Sequence, residues 1–311
     1  MAMPIEFTHV PAATWRNEAG APFFRDVAEA ARMLSRLEDA GFNKVVVDDP
    51  KGLPANIEGA ASVLDSASPL DIAVSHRVTS LEPTAAARQL AALDARGKGR
   101  VALRVLGETA GDDAAGHVAA WQRIDEYLVL LKRLWSNERP FDHEGAFYSV
   151  KGGFVPRKGS RGVSIDIRLG GPSGTALKVA GRHADVFELA PGSIDEVGRL
   201  MARVRAVAAE HGRAGKLRFA LPVRLGASGY SAFERPAVEL ADPPARAALT
   251  LLSYATLGIE EFMVAGLDSP WAISTAGRET IALVRNSVSR READRPGLPA
   301  SDPERLSRVA G

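Results

Sequence analysis

Residues 164–190 read SIDIRLGGPSGTALKVAGRHADVFELA, and this stretch indicates the fold more clearly than any other part of the chain. The apolar run 163–169 predicts a β-strand, which the pair Gly170-Gly171 ends. A helical pattern follows, and a second apolar run begins at Val186. A strand, a turn, a helix and another strand in this order form the repeating unit of a parallel α/β sheet.

The glycine turn inside this unit is typical of an anion-binding site. Gly170 and Gly171 have no Cβ, so their N–H groups can approach a ligand closely. The predicted helix begins near Gly174, and its N-terminus adds unpaired donors and a positive dipole end, which suits a phosphate. Ser173 offers a hydroxyl donor or a helix cap. An ordinary strand-to-helix turn has the same local sequence, so both interpretations stay open.

Eight predicted strands alternate with predicted helices along the whole chain. The strands are predicted at 5–9, 44–48, 70–76, 100–106, 163–169, 184–189, 217–225 and 260–265. The helices are predicted at about 23–40, 56–66, 83–96, 118–135, 174–181, 193–211, 243–257 and 272–290. Alternation with apolar strands predicts a parallel sheet covered by helices, and eight such units favour a closed (β/α)8 TIM barrel.

Two segments depart from the alternation. Residues 136–163 carry an Asp-His-Glu-Gly turn between two short extended pieces, which predicts a β-hairpin inserted after the fourth helix. The prolines of residues 291–311 predict an irregular C-terminal tail. Residues 1–290 are therefore expected to form a single barrel domain.

The composition excludes several classes of protein. The 311 residues include 39 basic and 38 acidic side chains, a balance that lacks the basic excess of a nucleic-acid-binding protein. The absence of cysteine excludes disulfides and thiolate catalysis, and the six histidines show no metal-binding spacing. Neither a membrane span nor a signal peptide is recognisable. We expect a cytoplasmic protein without a metal, a membrane or a nucleic acid.

Further motifs occur in a fixed order between about residues 5 and 285. The motifs are residues 79–94 followed by residues 98–100, FDHEGAFY at 141–148, LGGPSG at 169–174 and LGIEEFMV at 257–264. In this order they resemble the bacterial luciferase-like flavin-dependent monooxygenases, most closely the alkanesulfonate monooxygenase branch. The resemblance implies a barrel that uses O2 and reduced FMN, supplied by a separate NAD(P)H-dependent flavin reductase. It also implies a homodimer.

The resemblance assigns cofactor-binding residues. The turn residues that match the family's FMN-phosphate site are Gly170, Gly171, Ser173 and Gly174. Thr79 matches a position beside the flavin, and Arg104 stands on the fourth strand where this branch usually has Asn. Two residues at strand ends are assigned as catalytic: His9 matches a histidine near the family's pocket, and Arg224 ends a Pro-Val-Arg run on the seventh strand.

Other positions depart from the family pattern. Ala120 and Ile124 replace a His and a Tyr that flank the retained Arg123 at the entry to the fourth helix. Only residues 226–243 separate the seventh strand from its helix, so we expect a shortened lid region. A lid normally shields reactive flavin chemistry from water.

Four arginines fall near predicted strand ends and suit an anionic substrate if they face the barrel mouth. They are Arg77, Arg104, Arg168 and Arg224, with Asp48, Asp49 and Glu188 at comparable positions to neutralise them. In the alternative, these side chains point outward and pair between sheet and helices.

The predicted function is the oxidation of a small anionic, possibly organosulfur, substrate. Two alternatives stay open: a diverged non-catalytic or flavin-poor barrel subunit, and an oxidoreductase that uses a deazaflavin.

Overall fold

The computed structural model describes residues 5–11, 27–48, 53–66, 68–107, 114–225, 236–240, 243–267 and 269–293. The strands are β1 (Glu6–His9), β2 (Lys44–Val47), β3 (Asp71–His76), β4 (Val101–Val105), β5 (Phe141–Glu144), β6 (Ser149–Gly153), β7 (Asp166–Gly170), β8 (Val186–Glu188), β9 (Arg218–Leu225), β10 (Val238–Leu240) and β11 (Glu261–Ala265). The helices are α1 (Val27–Ala40), α2 (Leu53–Asp65), α3 (Pro83–Gly97), α4 (Ala114–Ser136), α5 (Gly174–His183), α6 (Ile194–Glu210), α7 (Pro244–Ala255), α8 (Pro270–Ala272) and α9 (Arg278–Ala293), the last two joined by a π-helical turn (Ile273–Gly277).

Eight of these strands form a closed parallel barrel. Parallel pairing runs from β1 through β2, β3, β4, β7, β8 and β9 to β11, which pairs with β1 again. This arrangement confirms the predicted (β/α)8 TIM barrel. The C-terminal ends of all eight strands share one rim, where the βα loops of such barrels carry the chemistry. We call this rim the barrel mouth.

Turn residues set several element boundaries where the sequence predicts them. Gly41 ends α1 with a φ of +92°, a conformation that favours glycine. Pro83 begins α3, where its missing N–H costs no helical hydrogen bond. Other boundaries differ from the prediction by up to four residues, and the 3₁₀ turn at Gly162–Ser164 delays the start of β7 to Asp166.

The segment after α4 contains the predicted hairpin, but its turn is formed by residues 145–148, because Asp142, His143 and Glu144 of the predicted Asp-His-Glu-Gly turn lie in β5. The antiparallel strands β5 and β6 form a separate two-stranded sheet. Glu126 of α4 holds its turn, because the carboxylate accepts hydrogen bonds from Phe147 N and Tyr148 N, both at 3.0 Å. His143 Nε2 lies 3.0 Å from the same carboxylate. The hairpin therefore packs on the outside of the barrel against α4.

The segment between β9 and α7 contains a strand that the sequence reasoning missed. The strand β10 runs parallel to the second half of β9 and places Glu239 beside Arg224. The rest of the predicted lid region, 226–235 and 241–242, lies outside the described residues. At the C-terminus, α9 continues to Ala293, so the predicted tail begins with helical residues, and 294–311 lie outside the described part.

The barrel has two different cores. Large apolar side chains such as Phe7, Phe187 and Phe262 are buried between the strands and the surrounding helices. Inside the barrel, the buried apolar residues form a small cluster of Val46, Ala73, Val186, Ala220 and Met263. Charged side chains occupy much of the remaining interior. Within the described ranges, none of the helices has the length and apolar character needed to cross a membrane.

Candidate functional site

The turn after β7 is built around two positions that exclude any side chain. A Cβ on Gly170 would lie 2.6 Å from the carbonyl oxygen of Glu188 on the neighbouring strand. A Cβ on Gly171, whose φ is +154°, would lie 2.8 Å from Trp121 Cζ2. The bare backbone is therefore required by the packing of β8 and α4 on this turn.

The next residues open α5 toward solvent at the barrel mouth. Ser173 is the N-cap residue, and its hydroxyl accepts a hydrogen bond from Ala176 N at 3.2 Å. Of the two roles predicted for Ser173, the structure therefore shows the helix cap. Gly174 is exposed, and a Cβ there would meet no atom within 4 Å. The first N–H groups of a helix precede its internal hydrogen bonds, so an anion can reach donors here without a side chain in its way.

Thr79 lies on the same rim. It is exposed in a 3₁₀ turn, Val78–Ser80, that directly follows β3. Arg77, one residue before this turn, is also exposed, and its Nη1 donates to the carbonyl of Gly107 at 3.3 Å. Arg77 therefore stabilises the loops at the rim and takes no part in the barrel interior.

The other three predicted arginines are buried and paired with carboxylates. Arg168 is fully buried, and its two terminal nitrogens donate to Glu261 at 2.7 and 2.9 Å. Its Nε reaches Glu188 at 3.2 Å, and Arg104 Nε binds both oxygens of Glu188 at 2.8 and 2.9 Å. Lys44 Nζ lies 3.4 Å from Glu261. We call these five residues the charged column.

Burial and pairing act in opposite directions on the charged column. Burial alone raises the pKa of Glu261, but the attraction of Arg168 and Lys44 outweighs it and leaves the pKa below its ordinary value. Burial alone lowers the pKa of Arg168, but Glu261 and Glu188 raise it above its ordinary value. Both side chains are therefore charged inside the barrel at neutral pH.

Arg224 and Asp48 lie near the mouth end of the interior. Arg224 is buried, and its Nε donates to the exposed carboxylate of Glu239 on β10 at 3.1 Å. Asp48 directly follows β2 and lies 3.5 Å from Arg104 Nη1. Asp49, named with them from the sequence, lies outside the described residues.

His9 lies on the opposite side of its strand from these charges. Its ring packs edge-on against Phe42 in the layer outside the barrel, with ring centres 5.5 Å apart. Burial lowers the pKa of His9 to about 4, although the nearby backbone of Leu267 acts in the opposite direction. His76, on the outer face of β3, has its pKa lowered to about 3 by burial. The structure therefore does not bring His9 together with Arg224 or the glycine turn.

These buried histidines predict that acid destabilises the fold. Their pKa values lie below the ordinary 6.5, so between pH 4 and 6.5 the unfolded chain binds protons that the folded chain does not. We expect the free energy of unfolding to fall by about 4 kcal/mol between pH 7 and 5, measured by urea denaturation. His9→Phe should remove about half of this loss. His117→Phe, at an exposed site, should retain all of it, and equal slopes in both variants would contradict the prediction.

The comparison with family models settles the class of this barrel. Residues 6–231 match the luciferase-like monooxygenase model, which covers β1 to β9 and includes the glycine turn. The chain belongs to the luciferase-like monooxygenase family.

Three curated relatives illustrate the range of this family. The sulfoquinovose monooxygenase of Agrobacterium fabrum is 25% identical over 189 residues, 58% of this chain and 48% of that protein. The FMNH2-dependent dimethylsulfone monooxygenase of Pseudomonas putida is 29% identical over 142 residues, 43% and 39% of the two chains. The F420-dependent glucose-6-phosphate dehydrogenase of Mycobacterium tuberculosis is 34% identical over 112 residues, 33% and 32%. The chain thus spans half or less of each relative's length.

Two solved structures show the same fold over nearly the whole chain. The EDTA monooxygenase from Chelativorans sp. BNC1 has a TM-score of 0.73 at 16% identity and covers 93% of this chain and 94% of its own. The long-chain alkane monooxygenase has a TM-score of 0.75 at 15% identity, with 94% and 92% covered. At these identities, the likeness shows the fold alone.

The structure locates the residues in which this family member departs from the family pattern. Ala120 and Ile124 are buried between α4 and the outer face of the barrel. The Arg123 guanidinium carbon lies 5.3 Å from the centre of the Phe147 ring in the hairpin. Trp121, between them, covers the backbone of Gly171. The sequence reasoning placed no role on Trp121, although it lies beside the two residues that depart from the family.

The sequence reasoning also missed two members of the charged column. Glu261 and Lys44 each begin an apolar strand, where a charge facing water is the ordinary interpretation. The available signal was the period of two along β11, which places Glu261 on the same face as Met263 and therefore inside the barrel.

Proposed function

We propose that this protein is a two-component flavin-dependent monooxygenase. Its partner would be a separate NAD(P)H-dependent reductase that supplies reduced FMN, and the active form would be a cytoplasmic homodimer. Reduced FMN supplies the electrons with which O2 places one oxygen atom in the substrate and the other in water. The protein's part is to bind the cofactor, orient the substrate and exclude water.

The observation that carries this proposal is the turn Gly170–Gly174. It combines two residues that admit no side chain, an open position at Gly174 and the start of α5, all at the barrel mouth. The donors that such a backbone presents suit the doubly negative phosphate of FMN. We assign Gly170, Gly171, Ser173 and Gly174 to the phosphate, with Ser173 acting through the helix cap. Thr79 and Arg104 would face the remainder of the cofactor.

The proposed substrate is a small anion, a sulfonate or a related sulfur compound. Two relatives, a sulfoquinovose monooxygenase and a dimethylsulfone monooxygenase, support a sulfur compound. Arg224 lies at the mouth end of β9, and we assign substrate contact to Arg224 or Arg104. His9 would act indirectly, because it lies behind β1 and near the backbone of Leu267 at the same rim.

A deazaflavin is the second candidate cofactor. It is favoured by the 34% identity to an F420-dependent dehydrogenase over 112 residues. The deciding experiment is an anaerobic titration of the protein with reduced FMN and, in parallel, with reduced F420, followed by tryptophan fluorescence. Trp121 lies against the proposed phosphate turn and serves as the reporter.

We expect reduced FMN to bind with a dissociation constant in the micromolar range and more tightly than F420. Tighter binding of F420 would replace the monooxygenase with a deazaflavin oxidoreductase. No response to either cofactor at tens of micromolar would contradict both functions.

A further inference from the structure

The guanidinium of Arg104 makes short hydrogen bonds through Nε but none through its two terminal nitrogens. Its Nε binds both oxygens of Glu188 at 2.8 and 2.9 Å. Its Nη1 makes only long contacts, 3.4 Å to Ser75 Oγ and 3.5 Å to Asp48 Oδ2. Within the part of the chain that the structure describes, no side chain or carbonyl accepts a hydrogen bond from Nη2. The Arg104 side chain is only 4% exposed, so little of this fork faces solvent.

The charged column also lacks negative charge. Its three cations and two carboxylates leave one net positive charge inside the barrel. Among the described residues, two further carboxylates pair with the column at its ends and are partly exposed, Glu6 beside Lys44 at 34% and Asp48 beside Arg104 at 37%. The counter-charge at the mouth end is therefore a side chain in contact with solvent.

Asp48 is suited to move away from Arg104 when a ligand anion binds. Its 3.5 Å contact with Arg104 is longer than the other ion pairs of the charged column between described residues, and its side chain is 37% exposed. If Asp48 leaves, Arg104 keeps its two hydrogen bonds with Glu188, so the guanidinium still has a carboxylate partner. Glu188 cannot move in the same way, because Oε1 is shared between Arg104 and Arg168.

We propose that the outer fork of Arg104 is an oxyanion subsite and that Asp48 occupies it until a ligand arrives. The fork offers two parallel N–H donors, which match a sulfonate or a carboxylate. Glu188, engaged by both arginines, orients the fork from behind. The assignment of this oxyanion to the oxygenase substrate rests on the proposed function, whereas anion binding itself does not.

The test uses the cofactor-free, full-length protein and isothermal titration with methanesulfonate and with inorganic sulfate at low ionic strength. Asp48→Asn removes the competing carboxylate and should tighten binding about tenfold. Arg104→Lys keeps the charge but loses the planar fork and should weaken binding about tenfold. The matched control is Asp65→Asn, which removes a carboxylate that pairs with Arg96 on the surface and should change nothing.

Binding by Asp48→Asn that is no tighter than by Asp65→Asn would overturn the proposal. So would wild-type affinity in Arg104→Lys, whose fold is checked by circular dichroism, or no binding of either anion to the wild type and Asp48→Asn at 50-fold molar excess over about 1 mM protein. The result is independent of the cofactor titration. Anion binding without flavin binding would remove the proposed function and leave the subsite standing.

Discussion

Arg168→Met is expected to lower the free energy of unfolding by about 3–5 kcal/mol, because it leaves the buried carboxylate of Glu261 without its bidentate partner. Lys44 and Thr8 also contact Glu261, but Lys44 does so at 3.4 Å and Thr8 carries no charge. Methionine fills a similar volume, so the loss reports the charge rather than a cavity.

Urea denaturation followed by circular dichroism measures this effect at pH 7. The matched control is Arg96→Met, which breaks the pair with Asp65 where both side chains are half exposed, and should cost less than about 1 kcal/mol. Adding Glu261→Gln to Arg168→Met should recover part of the loss, since the unpaired charge is then gone. A loss below 1 kcal/mol for Arg168→Met would show that the charged column does not hold the barrel interior.

Gly174→Asp is expected to weaken the binding of reduced FMN by at least about 100-fold, because it places a carboxylate beside the proposed phosphate site. The fold should tolerate the change, since a Cβ at Gly174 meets no atom within 4 Å. An acidic residue in the first turn of α5 also interacts favourably with the helix dipole. Loss of binding would therefore occur without loss of stability.

The chain offers a matched control for this substitution. Gly215 also has nothing within 4 Å of its would-be Cβ, and it precedes β9 at the rim opposite to the mouth. Gly215→Asp adds the same charge and should leave the affinity for reduced FMN unchanged. Equal affinities of the two variants in the anaerobic titration would place the phosphate somewhere other than the Gly170–Gly174 turn.

The barrel could be predicted because its signals are local. Each strand is a short apolar run, each helix has its own period, and punctuation such as Gly41 and Pro83 fixes boundaries within a few residues. The hairpin after α4 was predictable for the same reason, since its turn and both strands are contiguous in sequence. The strand β10 was not, because its three residues pair only with β9 and carry no period of their own.

The site was predictable only in part, for a related reason. The glycine turn is contiguous and its role follows from the backbone, whereas the charged column joins residues 217 positions apart, Lys44 and Glu261. The sequence names Arg104 and Arg168 as candidates at strand ends. Which carboxylates neutralise them depends on barrel closure and register, which composition and spacing do not determine.

His9 shows the limit of reasoning from a strand end alone. A residue at the end of a barrel strand faces either the mouth or the helix layer, and a shift of one position exchanges the two. Thr8, one residue earlier, faces inward and donates to Glu261 Oε1 at 2.6 Å, so His9 faces Phe42 instead. The structure therefore leaves Arg224, rather than His9, beside the mouth.

The central claim is that the backbone turn before α5 holds the phosphate of a flavin cofactor. The most direct measurement compares the affinities of the wild-type protein for reduced FMN and for reduced riboflavin, which lacks only the phosphate. We predict that FMN binds at least about 100-fold more tightly, since the phosphate would then be the principal anchor. Equal affinities for the two flavins would contradict the claim.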